Sequence, residues 1–315
     1  MSNFSVVNCA FNGLDYGWYL QKAVSANAST VSNVTVTSTE FRDNVSKGLY
    51  AEKIDNATFD GCSVINNGDA AWGSNSCNQF KPFLSGFDIN LKAGTYQNLT
   101  IRNSVFTGNG TGEAKEGAAL VIKARSDAPS YSTFPASLTN VLVENNLITG
   151  NERGIRLGEP GKNNSGPTSV VIQNNSINGN NKTYSGSDGT AYGNIVNLTS
   201  APAMANCNWF GSNQAALVAT GIFGLVNHVP FLQDGNDGSA NIGFQPTGIC
   251  ATPSACEFKV VCFNQGLTHG GQPVPSNRSD LTKAEVAQKN DVAGTINFYS
   301  LGYGGFITLK SSCAI

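Results

Sequence analysis

Four lysines stand at equivalent places in successive repeats of this chain. Each closes a short strand-like run that opens with glycine, five or six residues earlier. The four are Lys22, Lys53, Lys92 and Lys123. If the repeats stack, these ammonium groups form a row that would bind an acidic polysaccharide, with Arg125 and Arg156 beside it. The alternative is that they are solvated residues at a strand edge, where lysine hinders lateral aggregation.

The same residues could catalyse β-elimination on a uronate polymer. Lys92 or Lys123 would be the base, if burial among cations lowers its pKa. Arg125 or Arg156 would neutralise the substrate carboxylate, and Asp88 would hold calcium. These candidates are linked only by their expected position on one row of strands. The sequence therefore does not determine which residues would be catalytic.

Aromatic side chains lie on the same strand-like runs. Trp18, Tyr19, Tyr50 and Phe87 cannot all face outward, because alternate residues of a strand point to opposite faces. An outward Trp18 or Tyr50 would form a platform on which a sugar ring stacks. Phe87 is the best candidate for the core.

Other catalytic and metal-binding patterns are weak. The chain has two histidines, His228 and His269, and neither completes a Ser-His-Asp set or a paired-histidine metal site. Asp234 and Asp237, with Asn236 between them, resemble the start of a calcium loop but lack its distal glutamate. A solvated linker is the favoured interpretation. No cofactor is expected, with calcium as the one alternative.

Composition excludes several classes of protein. Charged residues make up 13% of the 315 residues and the formal net charge is −2, which argues against nucleic acid as a partner. No apolar run reaches the roughly 20 residues of a membrane span. No signal peptide precedes the first repeat. The expectation is therefore that the chain is cut from a longer protein, at both ends.

A recurring phrase indicates a stacked repeat architecture. Its copies include Val7–Gly13, Thr37–Asp43, Asp60–Asn66, Arg102–Gly108, Glu144–Gly150, Gln173–Gly179 and Ala205–Gly211. Alternating runs such as Asn33–Thr37 and Asn140–Val143 predict strands with one buried face. A spacing of 23 to 42 residues between copies suits a parallel β-helix with loops of varied length.

Asparagine is frequent at the corner that follows the first strand of each repeat. Stacked amides would hydrogen-bond along a ladder about 4.8 Å apart, and Asn145 is predicted to be a buried member. The alternative is that asparagine only turns the corner, through its tolerance of left-handed backbone geometry.

Eight cysteines are present without the spacing of a zinc site. Cys9, Cys62 and Cys207 share the corner position held elsewhere by small polar residues, so they are predicted to be free, buried thiols. The candidate disulfides are Cys250–Cys256, Cys62–Cys77 and Cys262–Cys313.

At the level of these phrases the chain resembles the parallel β-helix proteins of the pectate-lyase-like superfamily. The resemblance lies in Val143–Leu157 and in the closing segments Cys207–Gly211 and Gly224–Leu232. It covers roughly Asn3–Leu232. The resemblance implies the fold and not one activity, because that superfamily includes lyases, hydrolases, epimerases, adhesins and tail-spikes.

Residues after Glu257 resemble a module of large exported proteins of Bacteroidota-type bacteria. The matching phrases are Ser276–Asp280, Lys283-Ala284 and Ser300–Lys310, although Glu285 departs from the Leu-Gly usual there.

The sequence thus predicts an all-β chain. Residues 1–232 form a right-handed parallel β-helix of about seven turns, 233–256 a linker and 257–315 part of a small β-rich module. The predicted function is an extracellular, cell-surface segment that binds carbohydrate or adheres. The alternative is a polysaccharide lyase or related enzyme. The expected partner is a polysaccharide, acidic if the lysine row forms, and the segment is expected to be monomeric within its longer chain.

Overall fold

The computed structural model describes residues 1–25, 29–68, 83–111, 116–180, 192–252, 258–264, 267–272 and 306–311. The chain divides into two compact units, Met1–Pro253 and Ser254–Ile315. The segment predicted as a linker, 233–256, is split between them.

The first unit is a coil of parallel strands in three sheets, and the predicted parallel β-helix is confirmed. The first sheet contains β1 (Ser2–Val7), β4 (Val31–Thr37), β7 (Ile54–Asp60), β10 (Gly94–Arg102), β13 (Ala136–Glu144), β16 (Thr168–Gln173), β19 (Ala203–Met204) and β21 (Val226–Asn227). The second contains β2 (Ala10–Asn12), β5 (Glu40–Arg42), β8 (Ser63–Ile65), β11 (Val105–Thr107), β14 (Leu147–Thr149) and β17 (Ser176–Asn178). The third contains β3 (Tyr16–Leu20), β6 (Lys47–Ala51), β9 (Ser85–Leu91), β12 (Ala118–Ala124), β15 (Ile155–Leu157), β18 (Ile195–Asn197) and β20 (Ile222–Phe223).

One short helix, α1 (Ala215–Thr220), lies between β19 and β20. Within the described ranges, no helix is long and apolar enough to cross a membrane.

Like side chains stack in register along the inside of the coil. Leu49, Phe87, Leu120 and Ile155 are successive register partners in the third sheet, and all four are fully buried. The ring of Phe87 packs edge-on against Phe106 of the second sheet, with 5.3 Å between ring centroids. Phe87 is thus a core residue, as predicted from the alternation of its strand.

Seven of the eight first-sheet strands are followed, within three residues, by one residue with left-handed backbone geometry. These corner residues are Asn8, Ser38, Gly61, Asn103, Asn145, Asn174 and Cys207, with φ between 48° and 65°. Asparagine, with its short polar side chain, tolerates this geometry better than most residues.

The amide ladder lies one residue after the corner. Asn146 Nδ2 donates to Asn175 Oδ1 and Asn175 Nδ2 to Asn208 Oδ1, both at 2.9 Å. The prediction that Asn145 belongs to this ladder is wrong, because Asn145 turns the corner and its amide reaches Phe244 O instead. Both interpretations of the asparagines are therefore correct, but at adjacent positions.

A second asparagine ladder lies at the corner between the second and third sheets. Its members are Asn44, Asn67, Asn109, Asn151, Asn180 and Asn194, joined by side-chain hydrogen bonds of 2.7 to 3.0 Å. The sequence reasoning missed this ladder. The sequence does carry a signal for this ladder. Each of its first five members stands five residues after the inward-facing residue that directly follows the corner residue of the same turn.

Residues after the last first-sheet strand fold back onto the coil. Strand β22 (Phe231–Leu232) pairs antiparallel with β23 (Cys250–Ala251), and Phe244 is buried with its N–H donating to Asn145 O. Part of the predicted linker is therefore packed against the repeats, at Gly243 and Phe244, while the stretch 235–238 is exposed.

A disulfide joins Cys207 to Cys250. The predicted Cys250–Cys256 bridge and the predicted free thiol at Cys207 are therefore both wrong. The error at Cys207 arose from a register shift of one residue, because Asn208 and not Cys207 follows the corner. Cys77, Cys256 and Cys313 lie outside the described residues.

Cys9 and Cys62 are free thiols, as predicted. Cys62 is buried, but the predicted burial of Cys9 is wrong, because its thiol is exposed. Burial raises the pKa of the Cys62 thiol to about 11. We expect a thiol-alkylating reagent at neutral pH to label Cys9 in the folded protein and Cys62 only after denaturation. Peptide mapping by mass spectrometry checks this, and labelling of both at equal rates would contradict the burial of Cys62.

The second unit contains two described strands, β24 (Phe258–Asn264) and β25 (Phe306–Ser311), which pair antiparallel. The motif at Ser276–Asp280, together with Lys283, Glu285 and Phe298, lies outside the described residues.

Candidate functional site

The outer face of the third sheet carries an unusual row of side chains. Tyr19, Tyr50, Asp88, Val121 and Arg156 are successive register partners. They alternate with the buried core row, so their side chains leave the sheet on the opposite face. The parallel ladder thereby places aromatic and charged groups from four of these five turns on one face.

Three tyrosines at one end of this face form what we term the tyrosine patch: Tyr16, Tyr19 and Tyr50. Tyr19 stacks on Tyr50 with 5.4 Å between ring centroids and 17° between planes. Tyr16 packs edge-on against Tyr19 at 5.1 Å. Tyr19 stays 46% exposed, so a large aromatic surface remains accessible to a ligand. Burial, with Asp15 nearby, raises the pKa of Tyr16 to about 12, and its phenol is neutral at physiological pH.

A cluster of buried charges, termed the charged cluster, adjoins the patch and comprises Lys47, Asp88, Lys123 and Glu159. Lys47 Nζ lies 2.5 Å from Asp88 Oδ2, and Lys123 Nζ lies 3.2 Å from Asp88 Oδ1 and 2.8 Å from Glu159 Oε2. Lys123 and Asp88 are only 2% and 1% exposed. Removing either partner of such a pair would destabilise the fold, because a buried charge without a partner costs free energy.

The lysines of the charged cluster keep the carboxylates of Asp88 and Glu159 ionised. Burial alone would raise the pKa of Asp88, but Lys123 and Lys47 outweigh it and hold that pKa well below its ordinary value. The pKa of Glu159 is lowered in the same way, mainly by Lys123 against the effect of burial. Burial lowers the pKa of Lys47, although Asp88 opposes that shift.

Tyr50 connects the patch to the polar groups around it. Its hydroxyl donates to Glu52 Oε1 at 2.6 Å and accepts from Asn90 Nδ2 at 2.8 Å. Lys47 Nζ lies over the Tyr50 ring, 4.5 Å from its centroid. Burial, with Asp88 nearby, raises the pKa of Tyr50, so this ring also stays neutral.

The predicted lysine row does not form a continuous stack. Lys123 is the register partner of Asn90, not of Lys92, and Lys92 forms an ion pair with Glu52. The stacking expected for Lys92 and Lys123 is therefore wrong. Their roles in glycan binding or catalysis stay predictions.

The other two predicted lysines lie apart from the charged cluster. Lys22 is buried and its Nζ donates to Tyr96 Oη at 2.6 Å. Burial, and to a lesser extent Lys53, lowers the pKa of Lys22. Lys53 is half-buried, with Nζ 3.5 Å from Ser29 Oγ.

The two predicted arginines are both buried and paired. Arg125 makes a two-pronged contact with Asp127 at 2.7 and 3.0 Å and lies 4.4 Å from the centroid of the Tyr131 ring. Arg156 Nη1 lies 3.5 Å from Glu116 Oε2.

Trp18 lies on the core row and not on the outer face. It is the register partner of Leu49 and stacks on Phe4 at 5.4 Å. With Lys53 and Leu20 it lines a cavity of about 410 Å³. Of the two predicted sugar platforms, only Tyr50 belongs to the outer face.

The predicted metal ligands are engaged in other contacts. Lys47 and Lys123 neutralise Asp88, while Asp234 and Asp237 accept backbone N–H groups from their own loop. Within the part of the chain that the structure describes, no group of three His, Cys, Asp or Glu residues could hold a metal ion.

Sequence reasoning noticed Tyr19 and Asp88 but missed Lys47, Asn90 and Glu159 as neighbours. Asn90 and Lys47 stand on the same strands as the residues it singled out. Glu159 carries no sequence signal, because its position beside Lys123 depends on pairing between turns.

Comparison with protein-family models finds no match for this chain, and comparisons with curated proteins and with solved structures find no similar protein. The function must therefore be argued from the geometry of the outer face.

Proposed function

We propose that this segment binds carbohydrate through the tyrosine patch, as part of an extracellular adhesive or carbohydrate-binding surface protein. The observation that carries the proposal is the exposed ring of Tyr19, stacked on Tyr50 on an otherwise polar sheet face. Aromatic rings offer apolar area together with a polar edge, which suits the apolar face and the hydroxyl rim of a pyranose ring.

Polar groups beside the patch complement that platform. Tyr50 Oη, Glu52 and Asn90 are linked by hydrogen bonds within one turn of the patch. A ligand site pairs apolar area with a few well-placed polar groups that fix orientation. These groups would orient a sugar that stacks on Tyr19.

The ion pairs favour binding over the lyase alternative. A lyase acting on a uronate needs a cation that neutralises the substrate carboxylate. The four candidates, Lys92, Lys123, Arg125 and Arg156, each have a protein carboxylate as partner. A base with a lowered pKa exists at Lys47, but Asp88 contacts its amine directly.

Replacing Tyr19 by alanine should weaken glycan binding about tenfold, or by about 1.4 kcal/mol, because the exposed stacking surface is lost. Tyr19→Phe should bind nearly as well as the unchanged protein, since its ring remains. Affinities are measured by isothermal titration calorimetry on the glycan that gives the strongest array signal.

The matched control is Phe223→Ala, because Phe223 has nearly the same exposure, 45%, but lies at the far end of the third sheet. Equal losses for Tyr19→Ala and Phe223→Ala, or no glycan bound at all, would contradict the proposal. Release of unsaturated product from a uronate polymer would support the lyase instead.

A further inference from the structure

The charges around the tyrosine patch neutralise one another. Five cations lie on or beside this face, and among the described residues each has a carboxylate partner. The pairs are Lys47–Asp88, Lys92–Glu52, Lys123–Glu159, Arg125–Asp127 and Arg156–Glu116. An acidic sugar would have to displace a protein carboxylate from a buried pair, and breaking such a pair is costly.

The two predicted lysines without a described carboxylate partner do not alter this conclusion. Lys22 is buried against Tyr96. Lys53 lines the cavity beside Trp18, on the core side of the sheet. Neither ammonium group belongs to the tyrosine patch.

Among the residues that the structure describes, a buried acceptor beside the patch, Asn90 Oδ1, has no hydrogen-bond partner. Asn90 is 5% exposed and its Nδ2 donates to Tyr50 Oη, yet its Oδ1 makes no hydrogen bond. A buried polar atom left unpaired in a native structure costs free energy and calls for an explanation. A sugar hydroxyl, which can donate a hydrogen bond, would satisfy this oxygen, whereas an ionised carboxylate could not.

We propose that the tyrosine patch takes an uncharged glycan and that Asn90 Oδ1 accepts a hydrogen bond from one of its hydroxyl groups. The inference rests on the proposed function and narrows it to one class of ligand. The sugar ring stacks on Tyr19, and the amide of Asn90, fixed through Tyr50, holds one hydroxyl in place.

The test compares neutral and acidic probes on the unchanged protein at low and high salt. The probes are a hexamer of β-1,4-linked glucose, a galactomannan, polygalacturonate and alginate. We expect binding to at least one neutral probe, with affinity changing less than twofold between the two salt concentrations, because no net charge is paired on binding.

Asn90→Leu should weaken binding of that neutral probe about tenfold, since a donor on the sugar would lose its acceptor. Asn178→Leu, on the second sheet, is the matched control and should bind normally. If Asn90→Leu fails to fold by circular dichroism, Asn90→Ala and the comparison of probes on the unchanged protein still decide the question.

The possible failures are distinguishable. Salt-dependent binding to polygalacturonate or alginate that exceeds binding to both neutral probes would overturn the neutral-glycan inference and leave carbohydrate binding standing. Loss of that binding in Lys53→Gln would place the acidic ligand at the Trp18 cavity. Binding to none of the four probes would contradict the proposed function itself.

Discussion

Replacing Lys123 by methionine should lower the free energy of unfolding by about 3–5 kcal/mol at neutral pH. Lys123 is 2% exposed and lies within 3.2 Å of both Asp88 and Glu159. Methionine fills a similar volume but carries no positive charge, so the two buried carboxylates lose part of the charge that neutralises them. The loss is measured by urea denaturation followed by circular dichroism.

The effect of this substitution should depend on pH in a definite direction. The pKa values of Asp88 and Glu159 are lowered in the folded protein. Their contribution to stability is therefore present above the unfolded carboxyl pKa of about 4 and is lost as the pH falls below it. The difference between the unchanged protein and Lys123→Met should shrink in acid.

Two further variants serve as controls. Lys53→Met, at a half-buried lysine whose Nζ approaches only Ser29 Oγ, should change stability by less than about 0.5 kcal/mol. Adding Glu159→Gln to Lys123→Met should restore part of the loss, because one buried charge is removed. Equal stability of Lys123→Met and Lys53→Met would refute the buried network.

Asn175→Asp should destabilise the coil by about 3 kcal/mol or more, because several buried groups lose their partners together. Asn175 Oδ1 accepts from the backbone and side-chain amides of Asn146, while its Nδ2 donates to Val143 O and to Asn208 Oδ1. Aspartate has no Nδ2 to donate and places a charge where the side chain is fully buried.

The matched controls are two asparagines with left-handed backbone geometry. Asn145→Asp should cost less than about 1 kcal/mol, since that side chain makes one hydrogen bond, at 3.2 Å, to Phe244 O. Asn163→Asp, at an exposed loop residue, should be nearly silent. Urea denaturation that ranks Asn145→Asp with Asn175→Asp would contradict the assignment of the ladder.

The lysine row shows how a sequence pattern can mislead. Lys92 and Lys123 each stand six residues after a glycine, which suggested that Gly86 and Gly117 are equivalent. In the sheet, Phe87 pairs with Leu120, so the position of Gly86 corresponds to that of Ala119. The two lysines are consequently two residues out of register, and one of them meets Glu52 while the other meets Asp88.

The candidate site was predictable in part. The sequence indicates that Tyr50 and Tyr19 lie on equivalent strands, since each stands in a short run that opens with glycine. Their stacking depends on register, which the parallel pairing of β3 with β6 fixes only in the fold. The partners of Lys47, Lys123 and Asn90 could not be predicted, because they come from other turns.

Local patterns in the sequence are enough to predict the coil, its buried core and its polar corners. Alternation and a recurring phrase report local burial and backbone geometry, and these suffice to place Phe87 inside and to locate the asparagine-rich corners, although not to assign Asn145 to the turn rather than to the ladder. Which residues meet is set by contacts between turns, which those local patterns do not report. Loops of unequal length set the register between turns, and that register brings Cys207 to Cys250 and Glu159 to Lys123. A shift of one residue separates a turn asparagine from a ladder asparagine, and only the hydrogen bonds between turns reveal it.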